Sequence, residues 1–181
     1  GCGFLGGHLC ERLLDHGVEV ICVDDRSTSA PTAESLLSDR TGYRYVCHDI
    51  SDPLPDLPRA DTVFHLASPA SPVDYQRMPV QTLRTGALGT ANVLDFAERC
   101  DARMVFASTS EVYGDPLEHP QHESYWGNVN PVGPRSMYDE AKRFAEALTF
   151  AYRRARSADV GVARLFNTYG PRMRSDDGLV V

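Results

Sequence analysis

Gly1-Cys2-Gly3-Phe4-Leu5-Gly6 and, one helix length later, Val18-Glu19-Val20-Ile21-Cys22-Val23-Asp24-Asp25 form the stretch that decides the fold. Between them residues 4–16 carry a helical pattern, with Leu5, Leu9 and Leu13 on one stripe and Gly17 where a left-handed cap stops the helix. The glycines read as the tail of a Gly-x-x-Gly-x-x-Gly turn whose first glycine would lie just before residue 1. Such a turn lets backbone N–H groups approach a pyrophosphate at the helix N-terminus, where the dipole favours anions. Asp24 ends the following strand, 18 residues after Gly6, near the spacing at which an acid takes the adenosine ribose hydroxyls of a dinucleotide. The plainer alternative for the same stretch is a glycine-rich helix start followed by Asp24 as a solvated acid.

Further strand patterns run over residues 43–47, 62–66, 104–107 and 160–166, and two long helical patterns over residues 80–100 and 138–156 separate the last three. Strands alternating with helices point to a parallel sheet covered on both faces, an α/β, doubly wound (Rossmann) fold. Two Pro-containing irregular stretches, residues 68–78 and 114–136, follow strand ends, where open α/β sheets bind their ligands. In a 3-2-1-4-5-6 sheet the strand that feeds the glycine turn lies between two others, and the sequence has none before residue 1. The expectation is a fragment with two unpaired interior strand edges.

The 181 residues carry 18 Lys and Arg against 25 Asp and Glu, a net charge of −7, with 42% hydrophobic residues, as in one soluble globular domain. The acidic balance argues against a nucleic-acid-binding surface. No stretch is long and apolar enough for a membrane span, and the N-terminus has no signal-peptide pattern. Five cysteines without Cys-x-x-Cys spacing read as buried reduced thiols rather than disulfides or metal ligands, which points to the cytoplasm. His119 and His122 lie in a loop with no metal-ligand partner set.

Tyr138 and Lys142 are four apart at the start of a helix, so both lie on one face. An ammonium beside a tyrosine favours its phenolate and fits it for proton transfer. Ala107-Ser108-Thr109-Ser110-Glu111-Val112-Tyr113-Gly114 brings hydroxyls and a carboxylate to the same sheet edge. Tyr113 reads as packing, and His65 as closing its strand by a hydrogen bond to backbone rather than as a base.

With these motifs, and with Val23-Asp24, Asp49-Ile50, His65-Leu66-Ala67-Ser68, Gly89-Thr90 and Arg164-Leu165-Phe166-Asn167-Thr168-Tyr169-Gly170-Pro171-Arg172, the chain resembles the extended short-chain dehydrogenase/reductase family over nearly its whole length. This is the NAD-dependent epimerase/dehydratase family of nucleotide-sugar epimerases, dehydratases and decarboxylases. Ala67-Ser68-Pro69-Ala70-Ser71-Pro72, the run from Ser108 to Pro116 and Tyr125-Trp126-Gly127-Asn128-Val129-Asn130-Pro131 are most similar to its UDP-glucuronate decarboxylases (UDP-xylose synthases).

The resemblance implies NAD as cofactor, held by Gly1, Gly3, Phe4, Leu5 and Gly6, by Asp24, Asp49 and Ile50, by Leu66, Ala67 and Ser68, and by Tyr138 and Lys142. It implies Thr109, Tyr138 and Lys142 as a catalytic triad, with Ser110 and Glu111 as the decarboxylase-specific pair. Dehydratases of the family carry Asp where this chain has Ser110, so the strong acid for water elimination is missing. Asn167 and Arg172 would bind the nucleotide-sugar substrate, UDP-glucuronate. No metal is implied. The implied reaction oxidises C4 of the sugar to a ketone, loses carbon dioxide and returns the hydride, giving UDP-xylose.

Relatives of this kind carry Asn at the position of Gly86, and glycine weakens a helix by about 1 kcal/mol relative to Ala. The family's later substrate-capping segment is not in the sequence, so the fragment is expected to be inactive alone. The resemblance also implies a homodimer paired through residues 80–100 and 138–156. A 4,6-dehydratase or 4-epimerase of nucleotide sugars is the alternative within the class, and a nucleotide-binding module without turnover is the alternative outside it.

Overall fold

The computed structural model describes residues 1–29 and 36–177. Helix α1, Phe4–Asp15, opens directly from the glycine turn, and Gly17 follows it at φ 74°. The chain then enters β1, Val20–Asp24, which pairs in parallel with β2, Tyr43–Cys47, with Val20 opposite Tyr43 and Asp24 opposite Cys47. A second parallel sheet has the order β3-β4-β5, from Thr62–His65, Arg103–Thr109 and Val160–Leu165. Every pairing is parallel, as the alternation of elements implied. Among the described residues no strand stands between β1 and β3. An apolar cleft of about 160 Å³, lined by Leu9, Leu13, Ile21, Val63, Phe64 and Val93 among others, separates the two sheets.

The helical connections depart from the sequence reading in two places. Residues 68–78, expected to be irregular, contain α2, Pro72–Arg77. Proline at the first helical position gives up an N–H that would be unpaired there anyway, so it starts a helix as readily as it breaks one. Pro79 does the same for α3, Pro79–Arg84, so the expected helix over 80–100 is three pieces: α3, a π-helical turn at Thr85–Gly89, and α4, Thr90–Cys100. Within that turn Gly86 lies against α5, Ser136–Arg156, so closely that a Cβ there would stand 2.6 Å from the Ala141 Cβ and 2.9 Å from its carbonyl oxygen. The glycine permits this contact, and its helix propensity is the lesser consideration.

Two apolar clusters hold the layers together. Ile50, Leu94, Phe96, Met104, Phe106, Ala145 and Val160 join α4 and α5 to the three-stranded sheet, and Cys2, Cys10, Leu14, Val20, Cys22 and Leu37 join α1 to the two-stranded one. Fully burying a side chain such as Leu94 or Phe106 contributes about 1.5–3 kcal/mol. All five cysteines are free thiols; Cys47 is exposed, the other four are buried, and the Cys2 and Cys22 sulfurs lie 3.6 Å apart. No helix of the described residues is long and apolar enough to cross a membrane.

Candidate active site

One cavity of about 270 Å³ runs along the carboxyl ends of the strands, from the glycine turn and Asp24 past Asp49, Ile50 and Leu66–Ser68 to Thr109, Glu111, Tyr138 and Lys142. Gly1, Gly3, Phe4, Leu5, Asn167 and Arg172 also line it; Ser110, in the 3₁₀ turn Ser110–Tyr113 after β4, does not. Because α1 starts at Phe4, its unpaired N–H groups face this cavity, as an anion site requires. A Cβ at Gly6 would collide with the Gly1 carbonyl, so the turn closes to this curvature only with glycine there.

Asp24 ends β1 with its carboxylate turned into the turn. It accepts from the Cys2 N–H at 2.9 Å, the Arg26 N–H at 2.7 Å, the Ser29 hydroxyl at 3.0 Å and the Gly1 amino group at 2.7 Å. Burial acts to raise its pKa, and the backbone hydrogen bonds from Cys2 and Arg26 act to lower it. Arg26, the cation beside it in sequence, donates through Nε to the Tyr45 hydroxyl at 2.8 Å and lies over the Tyr45 ring. Asp49 is fixed by Gln81 Nε2 at 2.6 Å and by the Ser51 N–H at 2.8 Å, partners that nothing in its local sequence announced. These donors and acceptors, with the tight turn that only glycine at position 6 permits and the helix N-terminus beside it, fit a dinucleotide with an unphosphorylated adenosine ribose.

At the other end Tyr138 and Lys142 rise from the first turns of α5 and Thr109 from the end of β4. Both helix residues are buried, at 7% and 5% exposure. Burial pushes the Tyr138 phenol up to about 12, while the Thr109 hydroxyl beside it acts in the opposite direction. The expected phenolate-favouring ammonium is not aimed at that oxygen: Lys142 Nζ donates to the Ala107 carbonyl at 2.8 Å and stands 5.8 Å from the centre of the Tyr138 ring. Burial lowers Lys142 to about 8, with Glu146 pulling the other way. In this state desolvation decides both pKa values, and Tyr138 carries its proton at neutral pH.

The structure adds two residues that the spacing argument missed. Tyr75 of α2, 1% exposed, stacks on the Tyr138 ring with centroids 5.0 Å apart and planes 9° from parallel. Arg135, just ahead of α5, forms an ion pair with Glu111. The signal available for Tyr75 was Pro72, read as the first residue of a helix rather than as a breaker. Arg172, expected at the substrate, lines the cavity but gives its guanidinium to Glu11 and His8 of α1, each at 2.5 Å. His65 bonds the Thr90 hydroxyl at 3.0 Å rather than backbone, and burial drives it to about 3, so it is neutral and no base at physiological pH.

Behind the cavity Glu146 ties α5 to the sheet, accepting from Ser108 Oγ at 2.5 Å and from Arg164 at 2.7 and 2.9 Å. Arg164 also reaches the Tyr113 hydroxyl at 2.9 Å, so Tyr113, buried at 3%, is a packing residue as its sequence context indicated.

The model of the NAD dependent epimerase/dehydratase family matches residues 1–180. UDP-glucuronic acid decarboxylase 1 of Arabidopsis thaliana is 50% identical over 181 residues, which cover 100% of this chain and 41% of that protein. The protein of the same name from Xenopus tropicalis is 48% identical over 181 residues, covering 100% of this chain and 42% of its own. Among solved structures, a UDP-glucose 4-epimerase of Thermotoga maritima with UDP-glucose has a TM-score of 0.82 at 27% identity, over 95% of this chain and 55% of that one. A double mutant of DesIV, the dTDP-glucose 4,6-dehydratase of Streptomyces venezuelae with NAD bound, has a TM-score of 0.82 at 27% identity, over 96% and 56%. The chain spans 40% to 53% of the length of the curated relatives it matches.

Proposed function

The chain belongs to the NAD dependent epimerase/dehydratase family, and from that premise we propose that residues 1–181 form the NAD-binding Rossmann domain, with the catalytic residues, of an enzyme that decarboxylates UDP-glucuronate to UDP-xylose. NAD, when bound, supplies a hydride acceptor that is regenerated in each cycle. In this reading the glycine turn holds the pyrophosphate, Asp24 the ribose, and Asp49 and Ile50 the adenine. Leu66, Ala67 and Ser68 line the path to the reacting end.

Tyr138, once its proton is lost, takes the proton of the sugar C4 hydroxyl, with Thr109 donating to the same oxygen. Oxidation makes C4 a ketone, which leaves the carboxylate on C5 in the β position. The C5–C6 bond then breaks, carbon dioxide departs, and the bonding pair passes into a C4–C5 enolate whose oxygen lies between Thr109 and Tyr138. Protonation at C5 restores the ketone, and return of the hydride to C4 with the proton from Tyr138 gives UDP-xylose. Glu111, on the cavity wall, orients the carboxylate or delivers the C5 proton, with Ser110 beside it in the 3₁₀ turn. Lys142 holds the end of β4 through Ala107 and supplies charge beneath the Tyr138 ring. Asn167 contacts the nucleotide sugar.

One observation carries the reading: Thr109, Glu111 and Tyr138 share the wall of a cavity whose far end is the glycine turn and Asp24. Half the sequence is identical to that of UDP-glucuronic acid decarboxylases, and Ser110 offers no acid for eliminating water. The exposed apolar Val80 and Leu83 of α3 and Phe144 of α5 support pairing of two copies through these helices. Incubating the protein that carries this chain with UDP-glucuronate and NAD, and identifying the product by NMR, tests the assignment. UDP-xylose is expected; recovery of the C4 epimer, or of unchanged substrate, would overturn it.

A further inference from the structure

We propose that Arg135 is a positioning residue for Glu111, fixing where that carboxylate stands relative to the sugar carbon that loses carbon dioxide; the inference rests on the decarboxylase reading above. Arg135 precedes Tyr138 by three residues at the N-terminal end of α5, so helical geometry brings it to the same side as Tyr138. Its Nη2 donates to Glu111 Oε2. Glu111 is anchored at its backbone, whose N–H donates to Thr109 Oγ1 at 3.2 Å, but its side chain has rotational freedom that Arg135 removes. The guanidinium also acts on the phenol of Tyr75, the ring that stacks on Tyr138, lowering its pKa against the effect of burial. Arg135 thus links the carboxylate at the cavity wall to the stack that holds the tyrosine.

The pair is at the cavity, not in the core: its side chains are 48% and 25% exposed, and both residues line the cavity. Ion pairs so exposed stabilise folds little, so the fold does not require this one. Asp139 is the other acid facing the guanidinium, and its buried Oδ1 has no hydrogen-bond partner. A sugar carboxylate entering beside Glu111 brings two anions into one pocket, and an unrestrained Glu111 would swing toward the Tyr138 and Thr109 hydroxyls. A guanidinium engaged with Glu111 prevents that swing. It is also withheld from the substrate carboxylate, which must surrender its charge as the electron pair moves to the C4 oxygen.

The test uses the protein that carries this chain, with UDP-glucuronate and NAD, and reads carbon dioxide release together with reduced-cofactor absorbance. Arg135→Gln should lower kcat for carbon dioxide release by at least about tenfold with KM within about threefold, and C4 oxidation should continue so that reduced cofactor accumulates. Arg135→Lys should recover part of the loss. On a Glu111→Gln background, Arg135→Gln should add no further loss, because it acts through Glu111. A raised KM at unchanged kcat would make Arg135 a substrate-gripping residue and overturn the proposal, as would additive losses. Equal loss of oxidation and carbon dioxide release with a lowered Tm and no rescue by Lys would show a structural role and also overturn it. A wild-type protein releasing no carbon dioxide would instead sink the decarboxylase reading, and this inference with it.

Discussion

Tyr138 and Lys142 share one face of α5, yet the fold treats them differently. Burial keeps the phenol protonated, at about 12, and weakens the ammonium, at about 8. Each is held ready by its surroundings, Tyr138 by the stacked Tyr75 and Lys142 by the Ala107 carbonyl. Tyr138→Phe removes one oxygen and little volume, so NAD binding by calorimetry should change little while turnover falls on the general acid–base scale of about 10²–10⁴-fold. Lys142 also gives a pH signature. Its charged form is disfavoured in the fold, so below pH 8 both folded and unfolded chains carry the proton and the full penalty stands. Between pH 8 and about 10.5 the folded chain has released the proton while the unfolded chain keeps it, and stability rises with pH from this residue. Urea midpoints across that range should show the wild type gaining on Lys142→Met by a few kcal/mol; a constant difference would mean that Lys142 titrates normally.

At the scale of elements, the site depends on how α3, the π-helical turn and α5 meet. Gly86→Ala would press a methyl against Ala141, and overpacking of this kind costs about 1–3 kcal/mol, readable as a lowered Tm with the chemistry at Tyr138 intact. Glu146→Ala would strand Arg164 and Ser108 beneath β4 and β5, with an expected loss of about 3 kcal/mol in a denaturant titration. The strands and α5 were legible in the sequence because their apolar periods are strong: Tyr43–Cys47 is where the pattern put it, and α5 begins within two residues of its expected start. What was not legible was set by tertiary contact. Pro72 and Pro79 read equally as breakers and as helix starts, and only packing decides between them. Gly86 looked like a weak helix position until Ala141 stood against it. Among the candidate site residues, Asp24, Tyr138 and Lys142 were singled out by spacing and Thr109 by the family resemblance, whereas Tyr75, Gln81 and Arg135 reach the cavity from segments whose local pattern carries no chemistry. The partners that Arg172 takes in the fold, Glu11 and His8, lie more than 160 positions away and could not be read from its local sequence.

Across the whole molecule, the turn, Asp24 and the Thr109–Tyr138 end line up along one cavity, and the proposed function assigns cofactor choice to one end and the reaction to the other. At the first, the Asp24 carboxylate would repel a 2′-phosphate, and Arg26 is turned onto Tyr45. NAD should therefore bind more tightly than NADP in a fluorescence titration, and the reverse order would displace Asp24 from the ribose. At the second end lies the central claim, that this cavity removes the carboxyl carbon of UDP-glucuronate. The most direct measurement supplies the protein that carries this chain with NAD and UDP-glucuronate labelled at C6, and counts label released as carbon dioxide for wild type and Tyr138→Phe. The account predicts release by the wild type without net accumulation of reduced cofactor, and a rate at least about a hundredfold lower for the variant; label retained in the sugar, or released equally by both proteins, would contradict it.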